Sequence, residues 1–179
     1  MTDRKVLIVG GGIAGITAAL ELAGMEISST IVERESQLGG EARFLACKAS
    51  DECNRCFACV VDHRIHEVTH QPDVRIMTES TLKGLSGGAG GFKVLVGSNG
   101  HEEQVDVAAI LVATGIDSVD ARQKPELGYG LFQNVITAPD LNEILRTKGR
   151  PYRPSDGALP SRIGFVQCVG SRDQTIGHL

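Results

Sequence analysis

The stretch Lys5-Val6-Leu7-Ile8-Val9-Gly10-Gly11-Gly12-Ile13-Ala14-Gly15 constrains the fold more than any other part of the chain. A run of strand character enters G-x-G-x-x-G directly, and a helical pattern from Ile16 to Ala23 follows at once. Strand, tight turn and helix in that order are the context a dinucleotide-binding fingerprint requires. Gly10 allows the turn, Gly12 lets a pyrophosphate approach the backbone, and Gly15 lets helix and strand pack closely. The helix N-terminus then offers free N–H groups and a partial positive charge to phosphate. A second strand, Ser28 to Val32, ends at Glu33, eighteen residues after Gly15. An acid there is placed to accept hydrogen bonds from an adenosine ribose, with Arg34 beside it.

The rest of the composition narrows the context. With 179 residues the chain has room for one ordinary domain, or one plus part of another. Apolar residues make up 41% and the net charge is −4 without a basic stripe, so nucleic acid is not an expected partner. No apolar run approaches the roughly 20 residues a membrane helix needs, so no membrane insertion is expected. Residues Met1 to Lys5 do not read as a signal peptide, and a cytoplasmic location is the default expectation.

Four of the five cysteines fall in thirteen residues, Cys47, Cys53, Cys56 and Cys59, spaced C-x5-C-x2-C-x2-C. Thiolates bind soft metals as a group, and x2 spacings let neighbouring sulfurs converge on one centre. Four thiolates suit an iron–sulfur cluster. A four-cysteine zinc site, which takes the same ligands, is the competing metal reading, and a redox-active disulfide between Cys53 and Cys56 is a third. The segment Val60 to Thr69 reads as a helix bearing His63 and His66, with His70 just beyond. These histidines read as solvated; one of them replacing Cys47 as a cluster ligand is the competing reading.

Downstream, Val74 to Met77 reads as a short strand. Gly84 to Gly91 reads as a flexible loop, Phe92 to Val96 as a strand, and Ser98-Asn99-Gly100 as a turn. Val107 to Val112 is a continuous apolar run, expected as a parallel strand covered on both faces, and it ends in Ala113-Thr114-Gly115. Thr137-Ala138-Pro139-Asp140 opens a helix with capping-box spacing, which stops at Gly149. Arg150 to Gly157 is a proline-rich connector. Arg162 to Gln167 reads as a strand running into Cys168, the way a second nucleotide-binding unit would begin.

The pattern G-x-G-x-x-G, then Glu33, then Leu38-Gly39-Gly40, resembles the two-dinucleotide-binding flavoproteins related to glutathione reductase, and Ala113-Thr114-Gly115 resembles their A-T-G turn. That resemblance implies FAD rather than NAD, and a cysteine segment leading onto the flavin ring. With the cysteine run, Asn134-Val135-Ile136-Thr137 and the heptapeptide Q-C-V-G-S-R-D from Gln167 added, the chain resembles the A-type subunit family of heterodisulfide reductase. It is also similar to the flavoprotein subunits of quinone-interacting membrane-bound oxidoreductase. The resemblance implies one FAD, one or more [4Fe–4S] clusters, and electron transfer alongside other redox subunits of a complex. Two departures stand out. Glu52 precedes Cys53 where the family has Asp, with Cys47 and Cys59 as additions, and the cysteine motif expected after Cys168 would lie beyond Leu179.

Taken together, a doubly wound α/β fold is expected: a Rossmann-like FAD-binding domain over 1–118, with a parallel sheet, a β-hairpin insertion and the cysteine insert 47–59. A connector over 119–160 and the start of an incomplete second unit over 161–179 would follow. FAD would be held by Gly10, Gly12, Ile13, Ala14, Gly15, Glu33, Arg34, Gly39, Gly40, Ala113, Thr114 and Gly115. A cluster would be held by Cys47, Cys53, Cys56 and Cys59, with Cys168 a ligand still lacking its companions. No nucleophile or general acid–base pair stands out. The alternatives are a pyridine-nucleotide-dependent disulfide reductase using Cys53 and Cys56, and a non-catalytic module with zinc on the four cysteines.

Overall fold

The computed structural model describes residues 5–47, 52–53, 56 and 58–170. The chain divides into two compact units, Met1–Arg43 with Phe57–Gly115, and Phe44–Cys56 with Ile116–Leu179.

The first unit carries β1 (Val6–Val9), α1 (Ile13–Gly24), β2 (Ser29–Val32), α2 (Val60–Thr69) and β3 (Val74–Met77), then β4 (Ser80–Gly88), β5 (Gly91–Ser98), β6 (His101–Val107) and β7 (Ala109–Val112). Four strands form a parallel sheet in the order β3-β2-β1-β7. In register, Ile8 lies beside Ile31 and Leu111. Strand side chains alternate between faces, so the sheet has two cores. On one face Ile8, Ile31 and Val74 pack with Ile16, Ala19 and Ala23 of α1, Val68 of α2, and Leu38. On the other, Leu7 and Val32 pack with Val94, Val96, Val105 and Val107 of the antiparallel sheet β4-β5-β6. Fully burying an aliphatic side chain of this size contributes about 1.5–3 kcal/mol. A bidentate pair ties the sheets together at their surface: Arg75 on β3 donates to Glu103 on β6 at 2.5 and 2.8 Å.

Three expectations need correction here. The glycine-rich stretch 84–91 is not a loop: β4 runs to Gly88 and pairs with β5, with Gly87 opposite Phe92. The turn is tight because Gly87 and Gly90 take φ of +87° and +89°, a region open to glycine without steric cost. The apolar run 107–112 is two strands, since Val107 pairs with Phe92 in the antiparallel sheet and only Ala109–Val112 joins the parallel one. Nor is it covered throughout: β7 is an edge strand and Val112 is 73% exposed. The Asn99-Gly100 hairpin turn forms as expected, both residues having positive φ.

In the second unit, α3 (Ala138–Lys148) starts with the capping box read from the sequence. The Asp140 N–H donates to Thr137 Oγ1 at 3.2 Å, and the Thr137 N–H donates to Asp140 Oδ2 at 2.9 Å. Gly149 ends the helix at φ +70°. Two asparagines fasten distant segments, Asn142 accepting from the Ala46 N–H and Asn134 from the Ser155 N–H. The strand expected over 162–167 is absent among the described residues, because the segment has no ladder partner. Phe165 and Val166 are largely exposed there.

Candidate functional site

The carboxyl end of the parallel sheet is where the chain order makes a site. From β1 the chain steps to β2 and β3 on one side, and β7 adds on the other. The crevice between β1 and β7 is therefore a topological switch point, the place where open α/β sheets bind ligands.

Each glycine of the turn has a distinct geometric reason. Gly10 has φ +106°, and a Cβ there would meet the Ala113 carbonyl oxygen at 2.3 Å. The turns after β1 and β7 are thus in backbone contact, bringing Ala113 and Thr114 to the glycine loop. A Cβ on Gly15 would lie 2.0 Å from the Gly10 carbonyl oxygen, so α1 packs onto its own entry turn. Gly12 differs: a Cβ would meet nothing within 4 Å. The space above it is open to a ligand. Gly12 caps α1 without a side-chain bond, the first turn holds no acid, and Ile13 and Ala14 are exposed. The first N–H groups of a helix lack intrahelical acceptors, so they are available to an anion with no competing carboxylate.

The second glycine pair closes the other side. The Gly39 N–H donates to the Gly11 carbonyl at 2.8 Å, and Gly12 and Gly39 form a parallel bridge. Gly39 has φ +107° and sits against Ile65 and Arg43; Gly40 lies over the Gly12 Cα. Glu33 anchors the floor. It is 7% exposed, with Oε2 accepting from the Gly11 N–H at 2.6 Å and Oε1 from the Glu35 N–H at 2.8 Å. A carboxylate has about four lone-pair sites, so acceptor capacity for a ribose hydroxyl remains. Arg34 is exposed, with Nε 3.5 Å from Glu35 Oε1. Gly115 follows Thr114 at φ +70° with open space where a side chain would be.

Gly11 is the residue the sequence reading passed over. It occupies a variable position of the fingerprint, yet its N–H serves Glu33 and its carbonyl serves Gly39. A Cβ on it would meet Leu38 Cδ2 at 2.4 Å. The uninterrupted glycine triplet was the available signal.

The cysteines stand differently. Cys47, Cys53, Cys56, Cys59 and Cys168 are all exposed. Cys59 caps α2 in the first unit, while Cys47, Cys53, Cys56 and Cys168 belong to the second. Among the described residues, no three of histidine, cysteine, aspartate or glutamate gather into a metal-binding group. The donor chemistry of four thiols in thirteen residues suits a cluster, but the described geometry does not assemble it. Residues 48–51, 54–55 and 57, within that run, lie outside the described residues.

The fold and the glycine loop define a Rossmann-like dinucleotide-binding unit, and a family model described as an NAD(P)-binding Rossmann-like domain matches residues 8–77. The chain is related along nearly its whole length to the A-type subunits of heterodisulfide reductase. The A-type subunit of the ferredoxin:CoB-CoM heterodisulfide reductase of Methanosarcina mazei is 28% identical over 257 residues, covering 98% of this chain and 32% of its own length. An iron-sulfur A-type subunit of the CoB–CoM heterodisulfide reductase of Methanopyrus kandleri is 27% identical, covering 97% and 38%. The chain thus spans about a third of the length of these curated relatives. Their alignments are longer than the chain itself, so they carry stretches with no counterpart here. Among solved structures, L-proline dehydrogenase from P. horikoshii matches with a TM-score of 0.55 at 24% identity, over 81% of this chain and 29% of its own, a likeness of fold. No helix among the described residues is long and apolar enough to cross a membrane.

Proposed function

We propose that the chain is the FAD-binding part of an oxidoreductase subunit related to the A-type subunits of heterodisulfide reductase. It would relay electrons between flavin and a [4Fe–4S] cluster inside a cytoplasmic multisubunit complex. The observation that carries the cofactor reading is the open Cα of Gly12, framed by the free N-terminus of α1 and by the Gly39-Gly40 pair bridged to it. Gly10, Gly12, Ile13, Ala14 and Gly15 would hold the pyrophosphate. Glu33 would take the ribose with Arg34 at the rim, and Gly39, Gly40, Ala113, Thr114 and Gly115 would line the way to the ring. The second glycine pair favours FAD over NAD, since it extends the cradle past the first dinucleotide half.

When bound, FAD supplies a centre that exchanges electrons in pairs or singly, and the protein sets its position and surroundings. The chain's own contribution is preorganisation. The Glu33 carboxylate fixes the Gly11 N–H, Gly39 fixes the Gly11 carbonyl, and Gly10 docks on Ala113, so the loop needs little rearrangement to receive an anion. Cys47, Cys53, Cys56 and Cys59 are the thiols we assign to the cluster, supported by donor type and spacing, and Cys168 is a ligand still lacking its companions.

Equilibrium titration of the apoprotein separates the cofactors. FAD should bind at least tenfold more tightly than NAD; NAD binding as tightly as FAD would overturn the assignment.

A further inference from the structure

Outside that site, the exposed face of α2 carries His63, His66 and, at its C-cap, His70. The His66 and His70 rings are stacked, with centroids 4.3 Å apart and planes 29° apart. Residues four apart share one helix face. The His70 ring is oriented: Nδ1 lies 2.8 Å from the His66 carbonyl oxygen. A carbonyl can only accept, so Nδ1 carries the proton and Nε2 keeps its lone pair. An imidazole that donates its other N–H to a backbone carbonyl is the usual outer-sphere arrangement of a metal-binding histidine. His63 is engaged elsewhere, with Nδ1 3.5 Å from Glu67 Oε2. Both imidazoles of the pair are exposed, so the His66 ring can turn toward His70 Nε2 without meeting a packed core, while His70 keeps its bond to the His66 carbonyl.

We propose that His66 and His70 form a bidentate site for a borderline divalent metal ion such as Zn²⁺, Ni²⁺ or Cu²⁺, which neutral imidazole suits. Water completes the coordination shell. The pair lies at the C-terminal end of α2, the end opposite its Cys59 N-cap. Binding there staples the last turn of α2, the helix whose Val68 is buried in the core with α1 and β3 and whose Ile65 packs against Gly39.

The test is a Zn²⁺ titration of the full chain followed by long-range ¹⁵N spectra of the histidine rings, in which zinc held by thiolates is invisible. The His66 and His70 signals should move together with one midpoint while His101, on β6, stays in place. His70→Ala should raise the midpoint for His66 at least about tenfold, the lower end of what losing even an outer-sphere partner costs. Circular dichroism without zinc should be the same for both proteins, because the side chain is exposed. Independent movement of the two signals, or a His70→Ala midpoint within twofold of the original, would overturn the proposal.

Discussion

The backbone N–H of Gly11 donates to Oε2 of Glu33 at 2.6 Å, across 22 residues of sequence. One buried carboxylate therefore holds the glycine turn, at the position we assign to the ribose. Glu33→Ala should cost about 1–3 kcal/mol in urea unfolding of the apoprotein, the penalty for a buried N–H left without an acceptor. Glu33→Gln, which keeps one carbonyl oxygen, should lose less. A Glu33→Ala protein as stable as the parent would show that Glu33 does not clamp the glycine turn.

Gly12 and Gly15 should respond in opposite ways. Gly12→Ala places its Cβ in open space at φ −73°, so the apoprotein should fold with stability unchanged or raised by about 0.4–1 kcal/mol. FAD affinity should fall at least tenfold, because the methyl occupies the approach path. Gly15→Ala drives a Cβ to 2.0 Å from the Gly10 carbonyl oxygen and should unfold the domain or shift the turn. Thermal melts with and without FAD distinguish the two. Equal loss of stability in both variants would contradict the open-space reading of Gly12.

Ser29, at the start of β2, is 3% exposed and its hydroxyl has no hydrogen-bond partner among the described residues. Replacing an unsatisfied buried hydroxyl by a methyl-sized group removes a desolvation penalty. Ser29→Ala should raise the urea midpoint by an amount worth about 1 kcal/mol. A decrease would show that the hydroxyl has a partner, such as a bound water.

The Asp140 carboxyl is held below the usual carboxylate range: burial works to raise it, but hydrogen bonds from the Thr137 backbone and hydroxyl, then Tyr129 and the charge of Arg122, outweigh that. A depressed folded-state value contributes stability that is present above the ordinary aspartate value, about 3.9. It is lost as pH falls from there through the folded value. Thr137→Ala, which removes the cap, should cost about 1 kcal/mol at neutral pH. Asp140→Asn should flatten the acid limb of the stability profile below about pH 4. An unchanged acid limb would contradict the coupling.

Much of this was legible in the residues because the signals were local. Gly10 to Gly15 could form only one kind of turn, α2 matched Val60 to Thr69, and α3 began at its capping box. What was missed depended on pairing. The 84–91 stretch looks like a loop by composition, and only β5 beside it makes it a strand. Val107 continues an apolar run, yet its neighbour is Phe92 rather than β1. Residues 162–167 have the composition of a strand but no ladder to join. The cysteine run had the strongest chemical signature and gained no geometric support, since ligands converge on an ion rather than on one another.

The central claim is that a flavin and an iron–sulfur cluster share this chain. Anaerobic purification followed by a visible spectrum with flavin, iron, sulfide and zinc analysis tests it most directly. The expected result is a flavin spectrum with a broad iron–sulfur shoulder, one FAD per chain and about four irons for a cluster of the [4Fe–4S] type. Stoichiometric zinc without iron, or a colourless protein, would contradict it.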